Sequence, residues 1–243
     1  MKILEITNLY KKYENLDVLS DININLNKGE FVSIVGPSGC GKSTLFKIIT
    51  GLDKEFEGLC LLEETDVKNY KTPLAYMPQK DLLLPWRTLY ENIILPLELH
   101  SLKINLDQIN LMIEDFGLKG FEDYYPKDLS GGMKQRAALL RTFLINSEII
   151  LLDEPFGALD AITRINLQEW LSKICKKYNH TVLFITHDIE EALYLSDRIY
   201  VIGKRPGTIL KEFSVNFELR ESVEDTINPD FFNIKKEILN LLY

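Results

Sequence analysis

Apolar and polar side chains alternate strictly over Asp21-Ile-Asn-Ile-Asn-Leu26, which predicts a strand with one buried face, and Ile3 to Ile6 reads as a strand before it. Phe31-Val-Ser-Ile-Val35 is a third strand, ending at Gly36. Past a glycine-rich turn, Leu45, Ile48 and Ile49 recur at i, i+3 and i+4 and predict a helix that Gly51 is placed to end in the left-handed conformation. Between 52 and 78 the apolar pieces Gly58 to Leu62 and Leu74 to Met77 predict a small antiparallel subdomain. From Gln79 to about residue 143 the pattern is helical and broken by Pro85, Pro96, Gly117, Gly120 and Pro126, which predicts an inserted helical segment. Strand and helix then alternate: Ile149 to Leu152, a helix over 161–178, Thr181 to Ile185, a helix over 189–195, and Arg198 to Ile202. Such alternation implies a parallel sheet covered by helices. Asp188 with Glu191 three residues on predicts a capping box, which leaves His187 just outside a helix N-terminus. Phe231, Ile234, Ile238 and Leu241 space a terminal amphipathic helix.

Composition narrows what this α/β chain does. Its 243 residues, 46% hydrophobic, suffice for a substantial core. A formal charge of −8 opposes non-specific association with nucleic acid, so a polyanionic ligand needs a local site. No uncharged apolar run approaches the ~20 residues that span a bilayer, and the N-terminus lacks the basic start of a secretory signal, so a cytoplasmic location is expected. Cys40, Cys60 and Cys175 stand far apart without metal-ligand spacing and read as reduced thiols.

The turn Gly36-Pro37-Ser38-Gly39-Cys40-Gly41-Lys42-Ser43-Thr44 matches the phosphate-binding loop G-x-x-x-x-G-K-[ST] and stands between a strand and a helix, as that loop requires. Its glycines let backbone N–H groups converge on phosphate oxygens, Lys42 reaches the β- and γ-phosphates of ATP, and Ser43 ligates Mg²⁺. Four apolar residues, Ile149 to Leu152, then deliver Asp153 and Glu154 to a strand end, where ligands bind in open α/β sheets. Asp153 is the expected water-mediated partner of Mg²⁺ and Glu154 the expected general base. The Cys40 thiol borders the loop, so its alkylation is expected to inactivate and to be slowed by ATP.

Leu129-Ser130-Gly131-Gly132-Met133, followed by Lys134-Gln-Arg136, resembles the signature motif of ATP-binding cassette (ABC) ATPases, and the resemblance covers residues 1 to about 210. It implies a P-loop NTPase core with a small antiparallel β-subdomain and an inserted helical subdomain: one domain over 1–243, with core segments 1–79 and 144–243 and the helical part at 80–143. It also implies that Ser130, Gly131 and Gly132 bind the γ-phosphate held by a second copy, in a head-to-tail homodimer. Locally, Ser130 can cap the following helix while the two glycines present their N–H groups to an anion. The family's usual Gln in fifth place is here Met133, which receives no phosphate contact. Tyr13, 23 residues before Gly36, resembles the aromatic residue that stacks on adenine, with Tyr10 as its rival. Gln79 resembles the glutamine that senses Mg²⁺ and the attacking water, Asp160 in Gly157-Ala-Leu-Asp160 the interface aspartate, and His187 the histidine that contacts the γ-phosphate and steadies Glu154.

Leu84 to Asn92, Asp153 to Ala161 and Lys204 to Ile209 are similar to the importer branch serving nitrate, sulfonates, taurine and thiamine precursors. That resemblance implies a separate transmembrane permease, an extracytoplasmic solute-binding protein acting indirectly, and a place on the cytoplasmic face of the membrane. The apolar stretch Leu82-Leu-Leu-Pro-Trp86 is the candidate docking surface. Alternatives are an ABC exporter subunit, an ABC ATPase without a transport task, and a P-loop kinase.

Overall fold

The computed structural model describes residues 1–100, 105–145, 147–157, 159–215 and 229–242. It forms two compact units, one of Met1–Lys71 with Cys175–Tyr243 and one of Thr72–Ile174.

The first unit opens with two long strands, β1 (Lys2–Tyr13) and β2 (Leu16–Asn27), paired antiparallel. The predicted alternation is realised: Ile22, Ile24 and Leu26 are buried, Asp21 and Asn23 exposed. β3 (Phe31–Val35) is buried at every position, as a strand covered on both faces must be. Helix α1 (Lys42–Ile49) buries Leu45, Phe46, Ile48 and Ile49, and Gly51 follows at φ +71°, the left-handed conformation its position called for. β4 (Glu57–Leu62) and β5 (Thr65–Asp66) complete an antiparallel sheet in the order β2-β1-β4-β5. The antiparallel layer therefore begins at residue 2 rather than 52.

The second unit opens with β6 (Ala75–Met77), which corrects the sequence expectation. It takes no part in the antiparallel sheet but runs parallel to β7 (Ile150–Asp153), Ala75 opposite Ile150 and Met77 opposite Leu152. Ala75 and Met77 are fully buried there, and a three-residue strand carries no periodicity that could announce its direction. Between these strands lie α2 (Leu89–Leu99), α3 (Leu106–Asp115) and α4 (Gly131–Phe143). Thr88 and Glu91 close a capping box on α2, with the Thr88 hydroxyl accepting from Glu91 N–H at 3.2 Å and the Glu91 carboxylate from Thr88 N–H at 2.8 Å. Phe116 meets Phe143 and Trp170 edge-on, at 5.6 and 4.6 Å between ring centroids, tying α4 to α5 (Ala161–Tyr178).

The chain returns to the first unit with β8 (Val182–Thr186), α6 (Ile189–Leu195), β9 (Arg198–Ile202), β10 (Ile209–Ser214) and α7 (Pro229–Leu242). β8 and β9 flank β3 in parallel, and β10 adds antiparallel to β9. In α7 the spacing is as read: Phe231 and Ile238 sink into a cluster with Ala192, Leu193, Val201 and Phe213, with Ile234 and Leu241 packed at its edge.

Candidate functional site

In the first unit β3 delivers the loop 36–41, whose shape depends on absent side chains. A Cβ on Gly36 would stand 2.4 Å from Ile202 Cγ2 and 2.5 Å from its carbonyl oxygen; one on Gly41, at φ +114°, would stand 2.6 Å from Leu19 Cδ2. Gly41 is also the N-cap of α1 and supplies no side-chain acceptor, so the helix start offers its donors and its positive end to an anion. The buried Lys42 ammonium donates to the carbonyls of Gly36 (2.7 Å) and Pro37 (3.0 Å), placing the cation within the loop's own curve. Ser38, Gly39 and Ser43 are exposed, and Thr44 is half-buried. A loop with this cradle and this cation fits a chain of phosphates.

Two neighbours escaped the sequence reading. The Arg205 guanidinium donates twice to the Gly39 carbonyl, at 3.0 and 2.6 Å, and braces the loop tip. Asp53 accepts from the Tyr13 hydroxyl at 2.5 Å and from the Lys11 ammonium at 2.8 Å, while that ammonium lies 4.3 Å from the Tyr13 ring centroid. The Tyr13 hydroxyl is pushed above its ordinary pKa by the bond to Asp53 and by burial, while the Thr44 hydroxyl pulls the other way. Tyr10 is equally exposed but lines a separate cavity of about 490 Å³ with Lys12, Ser20, Phe56 and Pro206.

Cys40 requires a correction. It is 1% exposed, and burial pushes its thiol above the ordinary pKa against the pull of Lys42 and Arg205. A buried, protonated thiol is a poor nucleophile, so the side chain serves packing beneath the loop rather than an accessible modification site.

Val35 pairs with Thr186 in parallel register, so Gly36 and the exposed His187 leave neighbouring strands side by side. The predicted capping box at α6 has a different wiring. The Asp188 carboxylate accepts from Glu190 N–H (2.8 Å) and Glu191 N–H (3.3 Å), but the return arm runs through Thr186, whose hydroxyl accepts from Asp188 N–H (2.9 Å) and donates to the Glu191 carboxylate (2.6 Å).

In the second unit β7 is wholly buried and carries Asp153 to its C-terminal end. The Tyr76 hydroxyl, from the paired strand, donates to Asp153 at 3.5 Å, and its pKa is pushed up to about 12 by burial and then by that carboxylate. Glu154 adopts φ +46°, a conformation that costs a non-glycine residue about 1–3 kcal/mol and collects at functional sites. Gln79 donates to the Glu154 carboxylate at 3.4 Å, so two of the predicted residues meet across 75 positions of sequence. Ser130 caps α4, its hydroxyl accepting from Met133 N–H at 3.2 Å, with Gly131 and Gly132 as the first helical residues. A Cβ on Gly132 would lie 2.9 Å from Thr163 Cγ2. Asp160 accepts from Thr163 N–H at 3.0 Å, which starts α5 and holds its carboxyl below the usual range; Ala158 of the same predicted loop lies outside the described residues.

The ABC transporter family model matches residues 19–157, which include the phosphate loop, the Ser-Gly-Gly helix start and both carboxylates. The chain belongs to the ABC transporter family. It is thus an ABC ATPase, with an α/β P-loop fold. It is 44% identical over 229 residues to the aliphatic sulfonates import ATP-binding protein SsuB of Bacillus cereus (strain ATCC 10987 / NRS 248), covering 94% of this chain and 90% of that one. Over 249 residues it is 43% identical to an uncharacterized ABC transporter ATP-binding protein, MJ0412, of Methanocaldococcus jannaschii, covering 100% and 92%. Among solved structures it resembles the ATP-binding cassette MJ0796 in a dimeric post-hydrolysis state bound to ADP and Pi, with TM-score 0.75 and 30% identity over 88% of this chain and 99% of that one.

Proposed function

We propose that the chain is the ATP-hydrolysing subunit of an importer for small sulfonate-like solutes, working as a head-to-tail pair on a separate membrane permease. The observation that carries the chemistry is Glu154, held in a strained turn at the end of a buried strand with Gln79 on its carboxylate. Water attacks the γ-phosphorus, the bond to the bridging oxygen of ADP breaks, and the proton lost by water passes to Glu154, leaving ADP and phosphate. Mg²⁺ arriving with the triphosphate would be held by Ser43, Asp153 and Gln79, directly or through water, and would neutralise charge on the phosphates. Adenine stacks on Tyr13, whose ring the Lys11 ammonium already flanks.

The pairing rests on Ser130, Gly131 and Gly132, which offer an anion site at a helix start, with His187 and Asp160 at the same nucleotide. Relatives that are sulfonate import proteins and a similar cassette seen as a dimer support it. Among the described residues no helix is long and apolar enough to cross a membrane. In this reading the permease is a partner chain and the subunit sits peripherally on its cytoplasmic face. Leu82 and Trp86, 58% and 71% exposed, give that partner an apolar landing beside Gln79, on a backbone braced by Arg141 at the Leu82 carbonyl. A solute-binding protein acts from the far side.

Glu154→Gln tests the chemistry. Turnover falls by roughly 10²–10⁴, while ATP stays bound and the pair persists in size-exclusion chromatography. Hydrolysis at the wild-type rate removes Glu154 as the base. Uptake of an alkanesulfonate by vesicles holding the complex tests the transport role, and its absence alongside normal hydrolysis would refute the solute class alone.

A further inference from the structure

His187 has an anchored residue on each side. The buried Thr186 hydroxyl takes the Asp188 N–H at 2.9 Å and gives its own proton to the Glu191 carboxylate at 2.6 Å, so one oxygen spans the histidine and fixes the peptide that follows it. A threonine hydroxyl has one proton to give and can accept in return, and both functions are used here. Glu191 is itself buried in the first turn of α6, where a carboxylate is tolerated only with hydrogen-bond partners. A simple capping box would have needed neither a hydroxyl at 186 nor a detour around His187. The detour places a charge-assisted bond, stronger and shorter than a neutral one, where it restrains the direction of the exposed imidazole. α7 packs on the same short helix through Ile234 and Ile238, with Lys235 paired to Glu190, so the far end of the restraint is also held.

We propose that Glu191, acting through the Thr186 hydroxyl, is a positioning residue that aims His187 at the nucleotide. This rests on the reading of His187 as the γ-phosphate contact. Geometry of this kind acts on turnover rather than on binding, because a misplacement of about 1 Å at a reacting centre costs up to about 10²-fold.

The test uses the purified full chain with Mg-ATP. Thr186→Val keeps shape and removes the hydroxyl: kcat falls roughly ten- to a hundredfold while KM stays within about twofold, and Thr186→Ser restores kcat to within about threefold. The chain has three histidines, so the imidazole Cε1–H resonance of His187 is assigned by its disappearance in His187→Ala; it shifts in Thr186→Val and returns in Thr186→Ser. Unchanged kcat in Thr186→Val, an unmoved resonance, or a Ser variant as slow as the Val variant overturns the proposal. If Thr186→Val does not fold, Glu191→Met keeps the length of the side chain, removes the acceptor, and must give the same loss in kcat alone and the same shift. A wild-type kcat in His187→Ala overturns the reading of His187 and the proposal with it, a result separable from the others because it needs neither Thr186 nor Glu191 to be altered.

Discussion

Removing the Asp53 carboxylate strands a cation. The Lys11 side chain is 1% exposed and its ammonium has Asp53 at 2.8 Å and the Glu55 carbonyl at 2.5 Å, whereas the Asp53 side chain keeps 14% of its surface in water. Asp53→Ala leaves a buried ammonium without its counter-charge, a loss of about 3–5 kcal/mol. At about 2–4 °C per kcal/mol for a chain of this size, the melting midpoint falls by roughly 6–20 °C. Lys11→Met is milder, about 1–2 kcal/mol, because Asp53 still reaches water, the Tyr13 hydroxyl and the Glu55 N–H. The double variant Lys11→Met with Asp53→Ala therefore melts above Asp53→Ala alone, since the stranded charge is gone. The same pair sets an acid limit. Burial alone would raise the Asp53 pKa, but Lys11, Tyr13 and the Glu55 N–H outweigh it and hold the carboxyl below its ordinary 3.8. A depressed folded-state pKa means the contribution is complete above the unfolded value and is lost as pH falls through the folded one, so wild type converges on Asp53→Ala only below about pH 4. Thermal melts of the four proteins at pH 7 and at acid pH decide the matter. A midpoint for Asp53→Ala within about 2 °C of wild type, or a double variant that falls by the sum of the singles, refutes the reasoning.

Lys42→Ala removes the cation lodged against Gly36 and Pro37 and weakens ATP binding by roughly ten- to a hundredfold, the worth of one charge-assisted bond, as read by calorimetric titration; unchanged affinity would show that the loop's backbone alone holds the nucleotide. Ser130→Arg deletes the α4 cap, at a cost of about 1 kcal/mol, and sets a long cation at the signature helix start; ATP binding by the isolated chain persists and turnover stops, so hydrolysis at the normal rate would remove the signature from the active pair. Iodoacetamide leaves Cys40 unmodified in the folded chain with or without ATP, because the thiol is buried and its pKa is raised; rapid labelling that ATP suppresses would restore the opposite picture.

What was legible in the chain was whatever a short segment decides by itself. The phosphate loop is spelled by nine adjacent residues, and the Ser130 and Asp188 caps by the residue before each helix. Buried strands such as β3 and β8 announce themselves as apolar runs. The direction of β6 was not legible, because periodicity says which face is buried and nothing of which strand lies beside it. Nor were the groups that orient the predicted residues. Tyr76 reaches Asp153 across 77 positions, Arg205 reaches Gly39 across 166, and Asp53 reaches Tyr13 across 40. Thr186 stands beside His187 in sequence, yet its role depends on the turn that brings Glu191 back to it. Tyr76, Arg205 and Asp53 each stand a single hydrogen bond behind a residue proposed to meet a metal, a phosphate or adenine, whereas Thr186 bonds the peptide N–H that follows His187 rather than the imidazole. A phosphate-binding motif constrains the groups that meet the ligand, since their spacing is fixed by local dihedrals, while the supporting partner can come from anywhere the fold provides a donor at the right height. Substitutions at Tyr76, Arg205, Asp53 and Thr186 are therefore where this ATPase can lose rate or affinity while every motif stays intact.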